Sequence, residues 1–333
     1  MRALHLSLLV LPLLLSALPA SANGARASGD PPTESEDEPS AADDTETPQQ
    51  SKKAARKALR RARLDAAIEE YESHYTGWHL NPGRRWFHLR LSAELGFVGV
   101  LHHRIQFGNE GTQVDYLVDG GQDNLFPFAR LSVDAEFAHH LVVTFLYQPL
   151  DLRTASVFQR DVQVDDTLFP AGTPMDLRYG FSFYRLSVGG DFLPHPEREL
   201  LLGFSAQIRN ATIDFASKDG ERSTTNRDIG FVPILKARFR WTFEKNWFVG
   251  AEVDGWFASG RGVSGSTNDF DAAIIDASLR GGVVLRPIGD VFVNLRYIGG
   301  GATGTDETPE PPSDGYTKNW FHTLALSLGV QVR

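Results

Sequence analysis

The residues best suited to chemistry in this sequence are its histidines and the carboxylates that could partner them. His102 and His103 are adjacent, and His322 lies far along the chain, while Asp115, Asp119 and Asp269 occupy loop-like stretches. An imidazole held by an acid can serve as a general base or activate a nucleophile. If residues 102 and 103 lie on a strand, their side chains take opposite faces, so at most one ring points to any given side. Of the other histidines beyond residue 22, His74 and His79 precede the strand-like region. His139, His140 and His195 fall in short turns, and His88 lies near the start of the first strand. There is no HExxH or related ligand spacing, no phosphate loop, no Gly-rich dinucleotide turn and no cysteine. No metal and no cofactor are therefore expected. Catalysis would rest on loop proximity alone rather than on a motif, so the chain is expected not to be an enzyme.

A second set of charged residues recurs at every other position. Arg90, Glu94, Arg130, Asp134, Glu136, Arg185, Arg209, Lys236, Arg238, Arg240, Glu252, Asp254, Asp276, Arg280 and Arg296 alternate with apolar residues. The clearest case is the end of the chain, where Leu324, Leu326, Leu328, Val330 and Val332 alternate with small or polar residues. A period of two with one apolar and one polar face marks a strand with different surroundings on its two sides. Such runs begin near Trp86 and amount to about ten strands, with eight or twelve as alternatives. A phase slip is expected near Phe183 and Tyr184, and residues 157–166 could add a hairpin.

The connections alternate in length. Short ones are expected near 138–140, 193–198, 244–246 and 287–290, and long ones near 109–124, 152–174, 217–228, 259–271 and 299–317. A soluble sandwich gives no reason for that alternation, whereas a membrane barrel with short inner turns and long outer loops does. The fold class is therefore all-β: a transmembrane, antiparallel, up-and-down β-barrel preceded by a disordered segment and a short helix. Trp86, Phe137, Trp241, Phe243 and Trp247 lie beside the short turns, and Tyr297, Trp320 and Phe321 near the long loops. Together these are expected to form two aromatic belts at the membrane interfaces.

The N-terminus reads separately. Arg2, the apolar run from Leu6 to Leu18 and Ala20-Ser21-Ala22 make residues 1–22 a signal peptide. Residues 23–50 are acidic, rich in Pro, Ser and Thr, and expected to be disordered. Residues 51–80 change to helix-forming composition, basic first (Lys52 to Arg63) and acidic later, an order that opposes the helix dipole. The simpler reading is a solvated helix. The other is that the basic segment 52–63 meets an anionic partner, such as lipid headgroups or the acidic stretch before it. The net charge of -9 argues against nucleic-acid binding.

From about Trp86 to Arg333 this pattern resembles the small bacterial outer-membrane β-barrel proteins as a class. That resemblance implies a barrel at residues 84–333, surrounded by outer-membrane lipid and inserted by the barrel-assembly machinery, with the N-terminal extension in the periplasm. It also implies that the alternating charges line the lumen. They would then either pair into a salt-bridged plug or wall a narrow polar conduit. The expected function is a narrow porin-like channel for small polar or ionic solutes, or a structural envelope protein. The alternatives are a surface-facing barrel enzyme, of the kind found among barrel proteases of the omptin family and barrel lipid A deacylases, and a loop-based adhesion or binding module.

Overall fold

The computed structural model describes residues 54–63, 66, 87–137, 140–193, 197–244, 246–260, 270–285, 289–305 and 314–332. The expected signal peptide, the acidic segment, most of residues 51–80, Trp86, His74, His79, His139, His195 and Asp269 lie outside these. Residues 54–63 are helical and exposed.

The first long strand, β1 (Phe87–Phe107), shows why the chain closes on itself. Its apolar residues Leu91, Leu95 and Phe97 are exposed, while Arg90, Glu94 and Val98 on the alternate phase are buried. Exposed apolar and buried charged residues invert the rule for a soluble sheet, and the inversion fits a strand with lipid outside and a polar interior. The same alternation continues through β3 (Leu125–Phe137), β4 (Leu141–Gln148), β5 (Asp151–Val157), β8 (Pro174–Asp191) and β9 (Arg198–Ser217). It runs on through β10 (Ser223–Phe243), β11 (Trp247–Ser259), β12 (Asp271–Leu285), β13 (Gly289–Thr305) and β14 (Tyr316–Val332). All pairings are antiparallel between neighbours, and β14 pairs back onto β1 from Leu91↔Val332 to Phe107↔Thr317. The barrel therefore has ten staves, with β4 and β5 sharing one place beside β8. Closure removes the free sheet edges that a bilayer does not tolerate.

The expected phase slip on β8 is not there. β8 keeps one register with β9 from Met175↔Ser217 to Asp191↔Leu201. The irregularity lies on the opposite neighbour, where Pro149 and Leu150 separate β4 from β5. Proline lacks the N–H that a continuous ladder would use. A register shift in β1 between Val100 and His102 leaves Leu101 exposed.

Several stretches read as outer loops are strand. β9 and β10 run on to a tight turn at residues 218–222, and β13 extends to Thr305. Two short pieces fold over the mouth. β2 (Val114–Asp115) pairs with β1, and β6 (Val162–Val164) forms a small hairpin with β7 (Thr167–Phe169). The backbone N–H of Thr112 donates to the Gln163 carbonyl at 2.8 Å and joins these two pieces. Their apolar side chains, Val114, Tyr116, Phe158, Val162, Val164 and Phe169, are buried in one cluster with Ile105, Phe107, Met175, Tyr179 and Phe215 of the barrel wall.

At the opposite end the turns are short and aromatics ring the outside. Phe87 and Phe137 lie 5.1 Å apart, Trp241 and Phe243 lie 5.7 Å apart, and Trp247 is exposed. At the outer level Tyr297 and Trp320 face outward, and the Trp320 indole N–H donates to Thr303 Oγ1 at 2.9 Å. Phe321 corrects the expected belt. It is 6% exposed and belongs to the interior cluster, because it falls on the inward phase of β14 with Thr323 and Ala325. Phe107 and Tyr179 are buried inside in the same way.

Candidate functional site

The barrel interior has two storeys. The lower one is ionic. Its cations are Arg90, Arg130, Arg185, Lys236, Arg238, Arg240, Arg280 and Arg296, and each lies within ion-pair distance of at least one of Glu94, Asp134, Glu136, Glu199, Glu252, Asp254, Asp276 and Asp290. Asp276 is a hub. It accepts from Arg130 and Arg185, each at 3.1 Å, and from Arg296. Arg185 also donates to Asp254 at 2.7 Å and to Gln207 Oε1 at 2.9 Å. Glu94 accepts from Asn294 at 2.7 Å and from Ser327 at 2.9 Å.

The basic ladder Lys236, Arg238 and Arg240 has a more dispersed set of partners than the hairpin alone would give it. Lys236 lies 3.2 Å from both Glu252 and Asp254 of the neighbouring strand. Arg238 is registered opposite Glu252, yet it ion-pairs with Asp134 at 2.8 Å across the lumen and with Glu199. Arg240 reaches Asp290 at 2.7 Å and stacks its guanidinium over Phe248 at 3.9 Å. Glu199 has no place in the sequence-based set, because it sits near a turn, outside the clearest alternation. Burial leaves each charge in need of a partner, since an uncompensated one costs several kcal/mol. Two voids among these side chains measure about 20 Å³ each, room for about one water apiece.

The upper storey is apolar and partly empty. A cavity of about 360 Å³ lies above Arg185, walled by Phe181 and Phe183 of β8, Ala211 and Ile213 of β9, Val232 of β10 and Trp256 of β11. Ala272 and Ile274 of β12, Ile298 and Gly300 of β13, and Phe321 of β14 complete the wall. Its few polar groups above Arg185 include Tyr179, Arg209, Asn226, Asp228, Thr317 and Asn319. Arg209 donates to Asp228 at 3.0 Å and packs against Gly230, where an added Cβ would come within 2.5 Å of Arg209 Nε. Gly299, Gly300 and Gly301 line the far wall, where short residues leave space open. Mostly apolar walls with a few placed polar groups, at this volume, are typical of a small-molecule site. None of the chamber's aromatic and glycine residues stood out as a site in the sequence. The signal was present in Phe181 and Phe183, which sit on the same inward phase of β8 as Arg185.

The histidines divide. His103 points inward and is fully buried, with Nδ1 2.7 Å from Gln122 Oε1 and its ring stacked 4.4 Å from Tyr116. It is part of the packing beneath the mouth. His322 and His102 point outward with ring centroids 5.7 Å apart, and His322 Nδ1 lies 2.6 Å from Tyr297 Oη. Asp115 bonds Arg104 at 3.1 Å and Asp119 bonds Arg160 at 3.0 Å, so neither is held by a histidine in these contacts. Among the described residues no group of three His, Asp or Glu side chains is arranged to hold a metal ion.

A closed ten-stave barrel with an outward apolar face, interfacial aromatics and an ionic interior is an integral outer-membrane β-barrel. No protein-family model matches the chain, and no curated protein matches it. Solved barrels do. The outer membrane protease OmpT from Escherichia coli matches at 10% identity and TM-score 0.49, covering 73% of this chain and 96% of that one. The translocator domain of autotransporter NalP from Neisseria meningitidis matches at 9% identity and TM-score 0.34, covering 85% and 98%. The Pseudomonas putida toluene transporter TodX matches at 9% identity and TM-score 0.28, covering 74% and 90%. These are likenesses of fold. One expectation is corrected, that the chain is not an enzyme: the barrels it is similar to include a protease.

Proposed function

We propose that this barrel binds a small apolar or amphipathic molecule in its outer chamber. The observation that carries the reading is the division of the interior, with paired charges leaving voids of about 20 Å³ below and an apolar cavity of about 360 Å³ above. A porin-like conduit needs a continuous wet path, and packed ion pairs do not provide one. An apolar chamber releases ordered water when an apolar molecule fills it, which favours binding in proportion to the area covered.

Two measurements test this. The refolded barrel is expected to be silent in a planar bilayer, and discrete, salt-dependent openings would instead favour the channel. In detergent, the fluorescent apolar probe N-phenyl-1-naphthylamine is expected to bind saturably with one site per barrel. Absence of saturable binding by a folded barrel would overturn the chamber reading.

One contact supports a second reading, chemistry on outer-leaflet lipid. The Tyr297 hydroxyl and the His322 imidazole, 2.6 Å apart with His102 nearby, form an oxygen–base pair on the outer surface. Hydrolysis of a fluorogenic lipid ester in vesicles, lost in Tyr297→Phe, would support it, and equal background hydrolysis in both proteins would remove it.

A further inference from the structure

Among the described residues, the wall of the barrel is not paired all the way up. β10 pairs with β11 only from Phe243↔Trp247 to Leu235↔Gly255. Above that point β10 continues for twelve residues, to Ser223, paired on its other side with β9, while β11 continues to Ser259 paired with β12. From residue 234 upward, β10 has no ladder partner on the β11 side among the described residues. Pro233 stands at the split, and a residue without an N–H is at home on a strand edge.

The split lies within the lipid band. Leu235, Phe231 and Ile229 point outward from β10 and are exposed, as is Phe257 of β11, and only above them do Arg227 and Thr225 bring polarity to that face. Backbone without a ladder partner at membrane depth is tolerated only where it is buried in protein or lines a water-filled cavity, and the outer chamber borders this edge. Its lining takes in Phe231 and Pro233 from one side of the split and Trp256 and Ala258 from the other. Trp256 takes the inward phase of β11 with Glu252 and Asp254, yet it is 39% exposed, as a side chain standing in an opening would be. Asn226 and the Arg209–Asp228 pair line the same space, with the Arg209 guanidinium over the Phe181 ring at 5.8 Å. They are the polar groups that would meet the polar end of a molecule whose tail is in the chamber.

We propose that the β10–β11 split is a lateral portal through which an amphipathic molecule with a single apolar tail passes from the outer leaflet into the chamber. Its tail lies against Phe181, Phe183 and Trp256, and its polar end is met by Asn226 and Arg209. This rests on the chamber reading above and adds the route and the class of ligand.

The chain has no cysteine, so a pair can be introduced cleanly. Pro233→Cys with Phe257→Cys, joined by a short bismaleimide, ties the split shut. The probe is dansylaminoundecanoate partitioned into vesicles that hold the barrel, and its blue shift on entering the chamber is followed in time. With equilibrium binding retained, crosslinking is expected to slow entry roughly tenfold relative to the uncrosslinked pair. Unchanged entry with intact binding overturns the portal and leaves the chamber standing. Absence of binding by the unaltered protein overturns both. Trp256→Ala supplies an independent arm, decisive even if the crosslinked barrel no longer binds. Removing the side chain in the opening is expected to speed entry about threefold or more, and an unchanged or slower rate overturns the portal.

Discussion

Arg185 and Asp276 meet at 3.1 Å in the middle of the barrel, although β8 and β12, which carry them, are separated by three intervening staves. The contact spans the lumen, and Asp276 takes two further arginines, Arg130 and Arg296, from other staves. One carboxylate thus ties together three parts of the wall that share no backbone pairing.

Asp276→Asn is the sharpest test of that hub. The amide keeps the shape and removes the charge, leaving three buried guanidiniums short of an anion. A loss on the order of 3–5 kcal/mol is expected, measured as a lower urea midpoint of the folded barrel in detergent. Neutralising Asp151, whose pairs with Arg153 and Arg178 are both exposed, is expected to cost only about 0–1 kcal/mol per pair.

The chamber can be filled without touching the ionic storey. Ala272 faces it from β12, and Ala272→Phe would occupy part of the 360 Å³ cavity. Probe affinity is expected to fall about tenfold or more, while the urea midpoint moves by less than that of Asp276→Asn. Tenfold corresponds to about 1.4 kcal/mol of binding.

The hairpin over the mouth is held by its buried aromatics. Phe169 is fully buried against Phe158 and Phe215. Phe169→Ala is expected to cost about 3–5 kcal/mol of local packing. Limited proteolysis should then cut within residues 157–174 well before the barrel staves are attacked.

Acid should loosen a second tie at the mouth. Asp314 accepts backbone N–H bonds from Asn109 at 2.7 Å and from Tyr316 at 2.9 Å, and these hold its carboxyl below the ordinary value of 3.8. A depressed carboxylate contributes stability that is complete above its unfolded pKa and is lost as pH falls through the folded one. Amide exchange at Asn109, corrected for intrinsic rate, should therefore stay slow at neutral pH and accelerate only below pH 3.8. Asp314→Asn should make it fast throughout.

Much of this architecture was legible in the sequence because a strand between lipid and lumen writes its two faces into alternate residues. Leu324 to Val332 and their small or polar intermediates are enough to place one face outward, and the length pattern of the connections orients the barrel. The short-turn aromatics Phe137, Trp241 and Trp247 follow from the same logic. Phe321 does not, because strand phase rather than residue type decides which side of the wall a ring occupies.

The sequence by itself determined the inward phase of most of the lumen charges, though not that of Glu199 or Phe321, and that those charges come in both signs. Only the tertiary structure decided who meets whom. Arg238 passes over its ladder neighbour Glu252 to ion-pair with Asp134, because a closed barrel brings distant staves face to face across a few ångströms. The folding of Phe158, Phe169 and Tyr116 into the mouth, and the parting of β10 from β11 above Leu235, are likewise contacts between segments far apart in the chain. Local periodicity reports a residue's side of the wall, whereas closure, plugging and the split depend on packing between elements, which no short stretch of sequence encodes.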